Sequence, residues 1–147
     1  MAKATITYTC KACKKHTTES VTKFSRREAD DWEAWASAHI DTCPACRRAA
    51  KKAEHEAKMD AEFSEFCAGS EGKPVRLKGT PKQVAWAKTI RRDCIVNAQR
   101  SYGDLDPAIT IAAVNAKTDA SWWIDHRFIG AEELICQILD DAANNAY

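Results

Sequence analysis

Glycine and proline are scarce in this chain, with five and four in 147 residues. That excludes the collagen-like and low-complexity classes, which are rich in both. No stretch approaches the ~18 consecutive apolar residues of a membrane span. Neither sign of charge dominates: 22 Lys and Arg face 21 Asp and Glu, a formal net charge of +1. The chain as a whole therefore exerts no strong pull on nucleic acid. The opening Met1-Ala2-Lys3-Ala4-Thr5-Ile6 lacks the apolar core of a secretory signal, so the expectation is a cytoplasmic protein with no membrane contact. Glycine-rich phosphate loops, G-x-S-x-G and H-E-x-x-H are also missing.

Cysteine is present in unusual supply. Seven is an odd number, which suits a reducing compartment better than a disulfide scaffold. Four of the seven form the pairs Cys10-x-x-Cys13 and Cys43-x-x-Cys46. The other three, Cys67, Cys94 and Cys136, fall in helix-like sequence and read as buried thiols. Thiolates suit zinc, a borderline-soft ion that takes four tetrahedral ligands, and two-residue spacing lets both sulfurs of a pair reach one ion. The pattern predicts that Cys10, Cys13, Cys43 and Cys46 bind one structural Zn2+ in a closed site. A redox pair, an iron–sulfur centre, or His16 or His39 in place of one cysteine are the alternatives. Four thiolates and one Zn2+ carry −2 together, which takes the formal +1 to about −1. Lys11, Lys14, Lys15, Arg47 and Arg48 then serve to offset the centre.

Residues 4–9 alternate in the manner of a strand and residues 17–24 are rich in Thr and Val, with the first cysteine pair between them. A β-hairpin with a zinc knuckle at its turn follows. Ser25 with Glu28 predicts a capped helix start, and Trp32, Trp35, Ala36 and His39 recur at helical spacing. Cys43-Pro44-Ala45-Cys46 opens a second, very polar helix reaching about Cys67. Gly69, Gly72 and Pro74 mark a linker over residues 69–75. Residues 75–78 read as an extended arm, and Thr80-Pro81-Lys82-Gln83 as a strong helix start. Helical segments at 108–116, at 122–127 opened by Asp119 or Ser121, and at 131–143 complete the chain, the last with Leu134, Ile135, Ile138 and Leu139 inward. The expected fold class is α+β, mainly α: a zinc-stabilised hairpin-plus-helices module over 1–68, then a small helical domain over 76–147.

The order of knuckle, hairpin and helix resembles a treble-clef or zinc-ribbon finger, with the helix after Ser25 as an insertion between the pairs. Further along, Leu77-Lys78-Gly79-Thr80-Pro81-Lys82-Gln83-Val84-Ala85-Trp86-Ala87-Lys88-Thr89-Ile90-Arg91 resembles the pattern L-x-G-[ST]-x-K-Q-x-x-W-A-x-x-I-R. Trp122-Trp123-Ile124-Asp125-His126-Arg127 resembles W-W-I-D-x-R. Both patterns, after a Cys-pair region, are similar to uncharacterised small proteins of phages and bacterial mobile elements. The resemblance implies a bacterial host cell and carries no established activity.

Read from the residues themselves, Trp86 and Ile90 are the expected buried face of their helix, with Lys82, Lys88, Arg91 and Arg92 left for solvent or a ligand. Trp122 and Trp123 are expected core aromatics, with an Asp–Arg pair tying two helices. The functional alternative gathers Gln83, Arg91, Asp125, His126 and Arg127 around an anionic group, because Arg grips phosphate bidentately. An enzyme would need Cys94 or Cys136 as nucleophile with His126 as base. Three function classes follow. The leading one is a non-enzymatic zinc protein that binds a protein partner, with inhibition of a host defence system as one such role and Trp32 and Trp35 among its anchors. The others are nucleic-acid binding through Lys11, Lys14, Lys15, Arg47, Arg48, Lys51 and Lys52, and an enzyme or nucleotide-binding protein using Asp125, His126 and Arg127.

Overall fold

A computed structural model describes residues 1–145 of the chain. Two strands, β1 (Ala2–Thr9) and β2 (His16–Lys23), pair antiparallel with Ala2 opposite Lys23 and Thr9 opposite His16. Six helices follow: α1 (Arg26–His39), α2 (Pro44–Ala68), α3 (Pro81–Tyr102), α4 (Pro107–Asn115), α5 (Ala120–Asp125) and α6 (Ala131–Asn144). The fold is α+β and mainly α, as the sequence predicts. No helix among the described residues is long and apolar enough to cross a membrane.

The chain divides into two compact units, Met1–His55 and Glu56–Tyr147. The division falls inside α2, whereas glycine and proline placed it at 69–75. The physical reason is the apolar pattern of the last three turns of α2. Met59 and Phe66 are buried there, and Phe66 joins the core of the second unit together with the partly buried Phe63 and Cys67.

In the first unit, alternation along β1 turns Ala4 and Ile6 inward, and α1 covers that face with Ala29 and Ala36. Small residues on the helix allow close approach, and side chains of α1 reach the backbone of β1. The Glu33 carboxylate accepts from Thr5 N at 2.8 Å and Arg26 donates to Lys3 O at 3.3 Å. These bonds occupy strand groups that a two-stranded sheet would otherwise leave open. Ser25 caps α1 by accepting from Glu28 N at 3.3 Å. Glu28 reaches one residue further back than a capping box requires, to Phe24 N at 3.2 Å.

The second unit is built on α3, whose Thr80 and Gln83 form a reciprocal capping box and whose end is set by Gly103 in the left-handed conformation. Ala87, Cys94, Ile95 and Ala98 of α3 pack with Ile111 and Val114 of α4, Trp123 of α5 and Leu134, Ile135 and Ile138 of α6. The extended arm of residues 75–78 forms a single parallel bridge, Lys78 with Asp119. Lys78 N donates to Thr118 O at 2.8 Å and Ala120 N donates to Lys78 O at 2.9 Å. Gly79 follows at φ +150°, where an added Cβ would lie 3.1 Å from Ala120 Cβ. Only glycine fits that turn without strain.

Candidate metal centre and an exposed aromatic cluster

The hairpin turn brings the first cysteine pair into position. Cys10 N donates to Lys15 O at 3.0 Å and Lys14 N to Cys10 O at 2.9 Å, with Lys14 in the left-handed region at φ 62°. The second pair sits at the start of α2, where Arg47 N donates to Cys43 O at 2.9 Å. Between the pairs, α1 is an inserted hairpin cover that ends at Ile40 and returns the chain to the knuckle. Lys11 N donates to Asp41 O at 2.8 Å, and Lys11 Nζ pairs with the Asp41 carboxylate at 2.6 Å.

The result is one group of four sulfurs, from Cys10, Cys13, Cys43 and Cys46, all within 4.8 Å of one another. Cys13 Sγ and Cys43 Sγ are 3.8 Å apart. A metal–sulfur bond of about 2.3 Å places the corners of a tetrahedron roughly 3.8 Å apart, so the separation fits a shared ion. It is nearly twice the roughly 2.05 Å of a disulfide. Cys43 N donates to Cys10 Sγ at 3.3 Å. Backbone donation from Cys13 and then Cys43 brings the Cys10 thiol down to about 6, against the opposing effect of burial. Cys46 goes the other way, to about 12, because the Cys43 and Cys13 thiols, followed by burial, favour its protonated form. One thiolate is thus already favoured, and a cation would draw the remaining protons off. The four cysteines can hold one metal ion.

Neither histidine belongs to the group. His16 Nδ1 lies 3.1 Å from Thr9 Oγ1, and His39 Nδ1 lies 2.7 Å from Trp35 O, with the His39 ring stacked on the Trp35 ring. The basic residues are also partly engaged elsewhere. Arg47 donates to Thr42 O and to Glu19 Oε2, both at 2.7 Å, and Tyr8 OH donates to Glu19 with Thr42 O 3.1 Å away. With Lys11 held by Asp41, two of the seven cations expected to face nucleic acid are answered by carboxylates. Lys14, Lys15 and Arg48 keep exposed or partly exposed side chains. Trp35 is 53% exposed and Trp32 half-buried, so the aromatic stripe of α1 leaves one ring accessible.

In the second unit, the sequence-predicted cluster does not converge. Gln83 is used in its capping box with Thr80, and Lys82 is exposed. Arg91 is buried, donating to Val75 O at 3.0 Å, and Arg92 is buried with it; both were expected at the surface. Trp86, expected in the core, is 51% exposed, and Ile90 is half-buried. The inward face of α3 runs instead through Ala87, Arg91, Cys94, Ile95 and Ala98. Trp123 is fully buried and donates through Nε1 to Lys117 O at 3.0 Å. Trp122 is half-buried, with its ring under Lys117 Nζ and stacked on His126 at 4.1 Å between centroids. His126 Nδ1 lies 2.7 Å from Trp122 O. Asp125 is exposed, and neither it nor Arg127 makes an ion pair among the described residues, so this segment supplies no Asp–Arg tie between helices.

Arg127 has another role. Its guanidinium lies over the Trp86 ring at 5.3 Å and over the Phe128 ring at 4.1 Å, while Nη1 donates to Ile124 O at 2.6 Å. Phe128 is 83% exposed. The two resembling segments therefore meet through Arg127 on Trp86, with the Lys78–Asp119 bridge pairing the first of them to the residues just before the second. Phe128 is the member that sequence reasoning missed. An unpatterned aromatic in the turn before Gly130 was the available signal.

The remaining cysteines differ from one another. Cys94 is buried, donates to Ala131 O at 3.7 Å, and its thiol is pushed up to about 12 by burial. That is opposite to what a nucleophile needs, although Cys94 and His126 line one small pocket of about 230 Å3. Cys136, expected to be buried, is exposed, with its sulfur 3.2 Å from Tyr102 OH. Cys67 is half-buried. Compared with protein-family models, with curated proteins and with solved structures, the chain matches none.

Proposed function

We propose that the four cysteines hold one zinc ion as a structural scaffold, and that the chain acts by binding a protein partner through the Trp86–Arg127–Phe128 face. The all-thiolate tetrahedral donor set narrows the ion to zinc or iron, and a closed four-cysteine site with a structural role is the usual setting of zinc. The observation that carries the binding reading is a guanidinium laid over two exposed aromatic rings. Trp and Arg are enriched among the few residues that dominate interface energetics, and here they are pre-assembled on the surface, which lowers the cost of ordering them. The resemblance to mobile-element proteins adds a bacterial host protein, such as a component of a defence system, as the partner class.

The test is comparative capture from bacterial lysate with the full chain and with Trp86→Ala and Arg127→Ala, followed by titration of any purified captured protein. The expected result is a protein retained by the parent and bound more than about tenfold more weakly by each variant, with the fold retained. Equal binding by all three would exclude this face as the binding surface. Retention of single-stranded DNA or RNA at ~50 mM salt, lost by ~200 mM, would instead favour nucleic acid stacked on the same rings.

A further inference from the structure

Two consecutive arginines of α3 are buried and are treated very differently. Arg92 has three carboxylates on it: Glu56, Asp60 and Asp93, each at 2.7 Å. Arg91 is only 5% exposed and has no carboxylate partner among the described residues. Of its donors, Nη1 reaches Val75 O at 3.0 Å, and the buried Nε has no partner. A buried charge without a counter-charge, and a buried donor without an acceptor, each cost stability. Burial accordingly holds the Arg91 guanidinium below its ordinary value, offset only by Cys67.

Arg91 lines a pocket of about 320 Å3 with Lys88, Thr89, Phe63, Asp60 and Arg92. Lys88 is exposed and makes no ion pair among the described residues, and the Thr89 hydroxyl makes only a long contact, 3.4 Å, to Ala85 O. The one acid on the wall, Asp60, is engaged by Arg92. Neither Arg91 nor Lys88 has a carboxylate on it among the described residues, and both line this space together with Thr89.

We propose that Arg91, Lys88 and Thr89 form a binding site for a phosphate-class oxyanion, either the free ion or the phosphoryl group of a small phosphomonoester. A tetrahedral oxyanion accepts from a guanidinium N–H and an ammonium together, and such charge-assisted bonds are the strong ones. The site lies wholly within the unit that begins at Glu56 and does not depend on the metal centre or on the Trp86 face.

The measurement is nuclear magnetic resonance of the Arg91 Nε–H in the full chain, titrated at constant ionic strength with inorganic phosphate and, separately, with glycerol 1-phosphate. A saturable shift of that resonance is expected with at least one of the two, weakened about tenfold by Lys88→Ala. Tighter binding of glycerol 1-phosphate identifies a phosphomonoester as the source, and equal or tighter binding of inorganic phosphate identifies the free ion. Because Lys88 is exposed, its variant keeps the fold even if Arg91→Lys does not. No shift with either probe would overturn the proposal, as would a shift undiminished in Lys88→Ala.

Discussion

Trp86 and Trp123 show how little a residue type says about its role. Trp123 is fully buried and hydrogen-bonded, whereas Trp86 stands half in solvent under Arg127. Trp123→Ala should therefore cost about 3–5 kcal/mol by leaving a cavity and an orphaned carbonyl at Lys117. Trp86→Ala should cost much less, about 1 kcal/mol from the lost Arg127 contact and partial burial. Denaturant titration of the two variants checks the contrast, and equal losses would put Trp86 in the core. A second residue-scale case is Glu19. The Arg47 guanidinium holds its carboxyl below the ordinary 4.5, helped by Tyr8 and opposed by burial. A carboxyl depressed in the folded state contributes stability above its unfolded value and loses it as the pH falls through the folded one. Melting of the first unit should thus weaken below about pH 4.5, and Glu19→Gln should show a smaller acid loss than the parent.

At the scale of elements, helix starts with a capping residue were legible: Ser25 and Thr80 each accept from a backbone N–H three residues on. The hairpin was legible from alternation, and the cysteine pairs from their spacing. What was not legible has physical causes. The face that α3 buries was misjudged because two arginines lie inward on it, and a carboxylate cage for Arg92 drawn largely from α2 leaves no local pattern. The two units divide inside α2 rather than at residues 69–75 because the last turns of that helix are apolar and supply Phe63, Phe66 and Cys67 to the second core. A chain fragment tests this. Residues 56–147 should unfold cooperatively, whereas residues 69–147, deprived of Met59, Phe63 and Phe66, should lose at least about 3–5 kcal/mol or fail to fold. Equal stability of the two fragments would restore the boundary to the glycine-rich segment.

For the whole molecule, the first unit has only a two-stranded sheet and one covering helix around Ala4, Ile6, Ala29 and Ala36. A core that small is marginal by itself, and in such modules metal binding supplies folding free energy. The second unit carries a larger apolar core with no part in the cysteine group. Removing the metal with a chelator should therefore abolish the structure of residues 1–55 and leave the melting of residues 56–145 in place, followed by heteronuclear spectra resolved by residue. Loss of both together would mean that the metal supports the entire chain.

The most direct measurement of the central claim is native mass spectrometry of the full chain and of Cys43→Ser. One zinc ion per parent chain and none in the variant is the predicted result. A parent that carries iron or no metal, or a variant that keeps its zinc, would contradict it.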